Sequence, residues 1–284
     1  MPTVATIVDR TRRFLRDWPD LDTTTASLTS STVTVSIADS TLYTVNKDIE
    51  VEQELMTVRA LPSGVTLTVK RGAKGTTAAS HATSQAVLIS PDFSSLDILD
   101  ALNAAVGAAF PYVYQRVTNT TLTTVASTYE YNVPSVGTGQ SYAIPHIHRV
   151  EIKENGETKY RDKKDWRIIR AATPILQFRR TQPASATLRL HGYAPFPRLA
   201  FTDSLPLQWP ENFEDALVTY AAGWLKQSGE TGRVKIDTGA IDNREQANRV
   251  GSSGAIGTSL LQRFYRDLAN CGFSPPYKHL RSVI

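Results

Sequence analysis

The sequence has a single cysteine, Cys271, in 284 residues. One thiol cannot form an internal disulfide or a zinc site built from cysteines, and such low cysteine usage is typical of a reducing cytoplasm. No run of about 20 apolar residues is present, which predicts a chain that does not cross a membrane. The start, Met1-Pro2-Thr3-Val4, lacks a basic segment followed by an apolar one, so we expect no secretory leader.

The familiar catalytic motifs are also missing. Residues 72–77 look like a phosphate-binding loop, but Lys74 precedes Gly75, whereas such a loop needs its Lys and Ser or Thr directly after the second glycine. No G-x-S-x-G elbow occurs, and no nucleophile, base and orienting residue can be grouped. His146 and His148 would share a strand face, but two ligands without a third rarely make a metal site. We therefore expect no enzyme activity, no cofactor and no metal.

Charge is unevenly distributed along the chain. The net charge of +4 is too mild to indicate nucleic-acid binding by itself. Between Lys153 and Arg180, however, nine basic residues stand against four acidic ones. This excess could face DNA or an acidic partner, although a solvated face of a sheet is the simpler interpretation. The candidates for a DNA-facing role are Lys159, Arg161, Lys163, Lys164 and Arg167.

The first half of the chain predicts a small β module over residues 27–90. Alternating apolar residues and the turn Pro62-Ser63-Gly64 predict a hairpin over 54–70, because Pro presets φ and Gly tolerates positive φ. A loop follows over 71–77, and then a short apolar strand over 86–89.

An acidic comb borders that hairpin, on the side away from Ile49 and Val51. Its members are Glu50, Glu52 and Glu54. Charged residues rarely bury, so solvent exposure is the simplest expectation. The alternative is that the comb pairs with a basic surface on a neighbouring copy, for example Lys70, Arg71 and Lys74.

Four segments predict helices: residues 3–18, 94–110, 211–228 and 260–270. In the first helix Phe14 and Trp18 belong to the predicted apolar stripe, and Arg12 falls off it. Ser94 and Asp97 form a capping box at the start of the second helix. Gly229 is expected to end the third helix. Glycines at 251, 254 and 257 are expected to weaken any helix before 260.

A second β module is predicted over residues 118–203. Residues 122–125 and 129–133 fit a hairpin, residues 137–141 a loop, and Asn155-Gly156 a tight turn after the strand 149–153. Further strands are expected at 165–168, 176–178 and 187–193. Short strands at regular spacing favour a sandwich or barrel.

These elements predict an α+β protein in which a helical core carries two β-rich insertions. The core comprises residues 1–26, 91–117 and 204–272, and the insertions are 27–90 and 118–203. Residues 273–284 cannot be helical across Pro275-Pro276 and predict an extended C-terminal arm. Its apolar contact residues are Tyr277, Leu280 and Ile284.

One stretch resembles the head-to-tail adaptor proteins of tailed bacteriophages. The resemblance rests on a hairpin ending in V-x-RG-x-x-GT-x-A-x-x-H, then P-x-FS, and a helix ending in FP. The matching residues are Val69, Arg71, Gly72, Gly75, Thr76, Ala78, His81, Pro91, Phe93, Ser94, Phe110 and Pro111. We expect His81, at the end of the motif, to close the loop by a hydrogen bond to backbone.

The resemblance implies a structural virion protein at the head–tail junction, made in the host cytoplasm. By this resemblance, copies would form a closed ring of about twelve between the portal and a tail terminator, stopper or neck protein. Double-stranded DNA would pass non-specifically through the ring. The implied contact residues are Arg71, Gly72, Gly75, Thr76 and His81, with the arm docking on the portal. The alternatives are another phage neck or tail protein, or a DNA- or carbohydrate-binding β module on a helical stalk.

Overall fold

The computed structural model describes residues 3–137, 140–206, 208–210, 212–237 and 252–271. These residues confirm the predicted α+β class. Contacts divide the chain into two compact units. The first unit comprises Met1–Ala105, Leu199–Leu205 and Glu214–Asp267. The second comprises Val106–Arg198, Pro206–Phe213 and Leu268–Ile284.

The described residues contain four α-helices, as expected. They are α1 (Val4–Leu15), α2 (Ser95–Ala109), α3 (Phe213–Asp237) and α4 (Ser252–Asn270). None of these helices, as far as the structure describes them, combines the length and apolarity needed to cross a bilayer.

Helix α1 is shorter than predicted. It ends at Leu15 because Arg16 adopts a left-handed conformation with φ of 59° and donates its N–H back to Arg12 and Arg13. The predicted stripe is therefore wrong at its end, since Phe14 is exposed and Trp18 is 70% exposed.

Glycine misled the prediction of the other two helix ends. Helix α3 continues past Gly229 to Asp237, and α4 already begins at Ser252. At Gly257 an added Cβ would lie 2.8 Å from the carbonyl oxygen of Gly223. The two helices thus approach so closely that only glycine fits, and this packing outweighs the poor helix propensity of glycine.

The first unit contains a six-stranded antiparallel sheet. Its strands are β1 (Asp20–Thr23), β2 (Thr34–Ser36), β3 (Asp48–Val51), β4 (Glu54–Ser63), β5 (Thr66–Lys70) and β6 (Ala86–Ile89). They lie in the order β1-β6-β3-β4-β5-β2, so the predicted hairpin over 54–70 is confirmed as β4–β5. An antiparallel bridge between Thr24 and Ile37 brings the two outer strands together. A cluster that includes Ile37, Ile49 and Met56 fills the interior.

The described residues of the second unit form three smaller sheets. Its strands are β7 (Gln115–Asn119), β8 (Glu130–Asn132), β9 (Ser135–Gly137), β10 (Gln140–Ala143), β11 (His146–Lys153), β12 (Arg161–Lys163), β13 (Trp166–Ile169), β14 (Ile175–Phe178) and β15 (Thr187–Ala194). The sheet orders are β12-β11-β15-β7, β13-β14-β8 and β10-β9. Val150, Leu176 and Leu188 belong to one buried cluster in this unit.

Three predictions in this unit need correction. Residues 122–125 do not pair with β8, because Thr124 and Leu122 exchange backbone hydrogen bonds with residues 185–188 instead. The predicted loop at 137–141 contains the end of β9 and the start of β10. Asn155-Gly156 does turn the chain, with Glu157 donating to the carbonyl of Glu154 at 3.0 Å, but β12 begins only at Arg161.

Candidate functional site

The motif residues of the first unit gather around one carboxylate, that of Glu54 at the start of β4. Glu54 is only 2% exposed. Arg71 donates to it from Nε to Oε1 and from Nη2 to Oε2, each at 2.7 Å. The backbone N–H groups of Gly72 and Ala79 donate to it at 3.0 Å each, and His81 lies 2.9 Å away. A buried charge with this many donors is fully compensated.

All five N–H groups of Arg71 have acceptors. Besides the two to Glu54, Nη1 donates to the carbonyls of Thr29 and Thr32 at 2.8 and 2.7 Å. The remaining N–H of Nη2 donates to the carbonyl of Ala79. Because an arginine has five donors, this side chain is completely satisfied within its own chain. It joins the loop before β2, the start of β4 and the motif loop.

Glycine and threonine give the motif loop its shape. Gly72 has φ of 61°, and a Cβ there would lie 2.9 Å from the carbonyl oxygen of Thr76. Gly75 has φ of 85°. The hydroxyl of Thr76 donates to Ala73 at 2.8 Å and accepts from the N–H of Leu55 at 3.1 Å, which fixes the loop onto β4.

His81 bridges two carboxylates. Its Nδ1 lies 2.8 Å from Oε2 of Glu52, and its Nε2 lies 2.9 Å from Oε2 of Glu54. The predicted hydrogen bond to backbone is made by its main chain, which exchanges two bonds with Leu28. The prediction for the side chain was therefore wrong, because it did not anticipate buried acceptors.

The environment of Glu54 strongly favours its ionised form. Burial raises the pKa of a carboxyl group, but hydrogen bonds from Arg71, Ala79, His81 and Gly72 outweigh it and lower the pKa of Glu54 to about 2. Glu54 therefore stays charged at any ordinary pH.

A second buried carboxylate, that of Glu50, ties α1 to the start of α2. The backbone N–H of Ser95 donates to it at 2.9 Å, and Arg12 Nη2 lies 3.4 Å away. Arg12 also binds Asp17 at 2.7 Å and the carbonyl of Phe93 at 2.7 Å. Burial raises the pKa of Glu50 despite the opposing hydrogen bonds from Ser95 and the charge of Arg12.

These contacts overturn the expectation for the acidic comb. Glu50 and Glu54 are buried and bind arginines of their own chain, so they are available neither to solvent nor to a neighbouring copy. Lys74 pairs with Asp48 of the same chain. Only Glu52 fits the expected exposure.

Sequence reasoning also misplaced Arg12. It stands four residues after Val8 and three before Leu15, and both of these are buried. That spacing places Arg12 on the buried face of α1. The burial of Arg12 could therefore have been predicted from the sequence.

A pocket of about 350 Å³ opens beside this cluster. Its lining includes Glu52, Thr76, Thr77, His81 and Leu96. The side chain of Glu52 is 47% exposed, so its carboxylate faces both His81 and solvent.

The predicted basic residues of the second unit are distributed around strands β12 and β13. Arg161 pairs with Glu157, and Arg167 donates to Gln177 at 2.5 Å. Lys163 lies opposite Val150 in the sheet, and Lys159 and Lys164 are exposed.

The histidine pair contacts aromatic rings. His146 stacks on Phe110 with ring centres 5.6 Å apart, and His148 stacks on Tyr193 at 4.5 Å. Burial lowers the pKa of both histidines. No group of three or more potential metal ligands occurs among the residues that the structure describes.

The predicted arm with Tyr277, Leu280 and Ile284 lies outside the described residues.

The capping box is confirmed, since the N–H of Asp97 donates to Ser94 Oγ at 3.0 Å and the N–H of Ser94 donates to Asp97 at 3.2 Å.

The contacts of Arg71 and His81 with Glu54 make the motif of the first unit an internal clamp that orders the loop from 71 to 81.

Comparison with known protein families identifies a match over most of the second half of the chain and part of the first. The sequence profile of the family described as "SU10 adaptor protein" matches residues 76–250, more than half of the chain. No curated protein matches the sequence.

Proposed function

Since this chain belongs to the SU10 adaptor protein family, a family of phage head–tail adaptors, we propose that it joins the portal to the tail or neck of a virion. Copies form a ring on the portal, and DNA passes through its centre. The ring receives a tail terminator, stopper or neck protein on its far side. The family match is the observation that supports this proposal most directly.

The proposed mode of action is binding rather than catalysis. The clamp around Glu54 supports it, because Arg71 and His81 have their polar atoms engaged within the chain. Such a clamp holds a loop in one shape, and a loop of fixed shape can present backbone and small side chains to a partner at little entropic cost. Gly75 and Thr76 of this loop are proposed contact residues for a neighbouring copy or the next neck protein.

In the proposed architecture the helices form a common core that carries two β insertions. Its boundaries are those expected from the sequence, with residues 27–90 and 118–203 inserted between helical segments. The arm from 273 to 284 docks on the portal. Residues 159–167 contribute cations that face the DNA.

Negative-stain imaging of the full chain, alone and mixed with the portal from the same virus, tests the proposal. We expect rings, or an added layer on the outward face of the portal. A protein that remains monomeric and ignores the portal would contradict it. Deletion of residues 273–284 is a matched variant, for which we expect loss of portal binding with an unchanged circular dichroism spectrum. Full portal affinity of this variant would show that the arm assignment alone is wrong.

A further inference from the structure

Basic and acidic residues are unevenly distributed along this chain, which the net charge of +4 does not show. Residues 106–198 contain thirteen Lys and Arg against six Asp and Glu, whereas the rest of the chain contains eighteen against twenty-one. The β unit therefore carries an excess of +7 and the remainder an excess of −3. Opposite excess charge on two parts of one chain favours contact between unlike parts of neighbouring copies.

The positive excess includes one face of the sheet β12-β11-β15-β7, which we call the basic face. The register places its members on the same side, opposite to Val150 and Leu190. The members are Arg116, Arg149, Lys153 and Arg189. Arg161 and Lys163 pair with Ile152 and Val150 and so point to the other side.

Buried Glu151 organises the basic face. It accepts from Arg149 Nη2 at 2.7 Å, from Arg189, and from His191 at 3.1 Å. The guanidinium of Arg189 also stacks 3.9 Å above the ring of Tyr160. Although Glu151 and Asp162 offset part of the charge, Arg149 still exposes 52% of its side chain. The cations are thus held in place before any partner arrives, which lowers the entropy lost on binding.

The negative counterpart lies around the pocket of the first unit. From residue 75 to residue 115 the sequence contains no Lys or Arg. Within this stretch, and at the pocket, four carboxylate residues are exposed, and we call them the acidic surface. They are Glu52, Asp92, Asp97 and Asp100. Of these, Glu52 lines the pocket, and Asp100 follows the pocket residue Leu96 by one helical turn.

The cations near this surface make other contacts within the chain. Lys74 is paired with Asp48, and Arg12 is buried with Asp17 and Glu50. Lys226 lies over the ring of Phe93 at 6.0 Å. Nδ1 of His81 lies 2.8 Å from the Glu52 carboxylate. A lysine or arginine entering the pocket would find a carboxylate, hydroxyl groups and the apolar wall of Leu96, which suits a charged head on an aliphatic stem.

We infer that the basic face of one copy binds the acidic surface of the next copy, with a basic side chain in the pocket beside Glu52. Each copy carries both surfaces, so the contact is head-to-tail, and repeated rotation closes it into a ring. The inference rests on the proposed function only in expecting a closed ring. The contact itself can be tested without the portal.

Sedimentation of the full chain at low and high salt is the first test. We expect self-association that weakens about tenfold or more when salt screens the charges. A chain that stays monomeric at low salt would overturn the inference, and so would rings that are insensitive to salt. In the latter case the proposed adaptor function would stand, because portal binding is measured separately.

Two charge-reversed variants give the decisive comparison. One is Glu52→Lys with Asp100→Lys, and the other is Arg116→Glu with Lys153→Glu. The second pair leaves all three partners of Glu151 intact. Each variant alone should associate about tenfold or more weakly than the wild type, because like charges then face each other. An equal mixture should regain association, because copies of the two variants can alternate, and every contact then joins unlike charges.

The control reverses two exposed cations outside the basic face, Arg59→Glu with Lys70→Glu, and should associate like the wild type. Failure of the mixture to associate would overturn the inference. So would loss of duplex-DNA binding by the Arg116 and Lys153 variant with self-association unchanged, because the basic face would then serve nucleic acid. Salt-sensitive association with no portal binding would support the contact and contradict the adaptor function.

Discussion

Arg71 holds Glu54 through two parallel hydrogen bonds of 2.7 Å each, from Nε to Oε1 and from Nη2 to Oε2. Two parallel bonds fix both the distance and the relative plane of the two groups. The resulting pair is the centre of the loop from 71 to 81, and its consequences can be measured.

Arg71→Lys should destabilise the protein although it keeps the charge. Lysine cannot form the paired bonds to Glu54 or reach the carbonyls of Thr29 and Thr32 together, so we expect a loss of about 2 kcal/mol in unfolding free energy. Urea denaturation followed by circular dichroism measures it. Lys74→Ala, which removes an exposed pair with Asp48, is the control and should lose about 0–1 kcal/mol. Equal stability of Arg71→Lys and wild type would refute the clamp.

Stability should fall in acid because of Glu54. Its pKa is about 2 in the folded protein against an ordinary value of 4.5. The ionised group therefore stabilises the fold above its ordinary pKa, and this contribution of about 3 kcal/mol disappears as the pH falls through that value towards 2. Glu54→Gln should flatten the acid limb of a plot of unfolding free energy against pH. An unchanged slope would show that other groups dominate it.

Glu50 should make stability depend on pH in the opposite direction from Glu54. Burial raises its pKa, so the folded state holds this proton more tightly than the unfolded state. Stability from Glu50 therefore grows as the pH falls through the raised pKa towards the ordinary one, and it is lost as the pH rises. At neutral pH we therefore expect Glu50→Gln to lower the melting temperature less than Glu54→Gln does. Thermal unfolding of the two variants side by side decides it. A more damaging Glu50→Gln would mean that the partnership with Arg12 outweighs burial.

Gly72→Ala should be worse than Gly75→Ala. Both residues have positive φ, but only at Gly72 would the new Cβ meet an atom, the carbonyl oxygen of Thr76 at 2.9 Å. We expect losses of about 2–3 kcal/mol at Gly72 and about 1 kcal/mol at Gly75. Gly64, with open space and no positive φ, is the neutral control. The ranking is read from midpoints of chemical denaturation, and a reversed order of Gly72 and Gly75 would contradict it.

Gly257→Ala should destabilise the protein even though alanine is the better helix former. The added methyl would lie 2.8 Å from both Gly223 and Gln227 atoms, so α3 and α4 would have to separate. The matched control is Gly107→Ala in α2, where nothing lies within 4 Å and a gain of up to about 1 kcal/mol is expected. Melting temperatures that rise for both variants would rule out the close helix contact.

Local signals predicted local structure well. The hairpin over 54–70 and the capping box of Ser94 and Asp97 depend on a few neighbouring residues, and both are confirmed. The turn of the hairpin lies at Gly64 and Val65 rather than at 62–64, since Pro62 and Ser63 still belong to β4. An alternating pattern, in contrast, tells which side of a strand a residue faces but not what covers that side. Glu50 and Glu54 were expected in solvent because the arginines that cover them, Arg12 and Arg71, come from distant positions in the chain.

Tertiary contacts also explain the missed elements. Residues 122–125 have the composition of a strand, yet their backbone hydrogen bonds go to residues 185–188, at the start of β15, rather than to β8. Glycines at 254 and 257 argued against a helix, but close packing on Gly223 gives Gly257 a reason to be there. The uneven distribution of charge can be found by counting residues in the sequence. The basic face can be identified only once the strand register is known.

The bridge between Thr24 and Ile37 bears on how copies of this chain would meet in the proposed ring. Unpaired strand edges recruit one another, and they are a frequent route to aggregation. In this sheet the outer strands β1 and β2 meet at that bridge, where Thr25 also donates to the carbonyl of Ser36 at 2.9 Å. In the proposed ring, where copies would stand side by side, the meeting of β1 and β2 leaves less unpaired strand edge for two copies to join, and the proposed charge contact would select the neighbour.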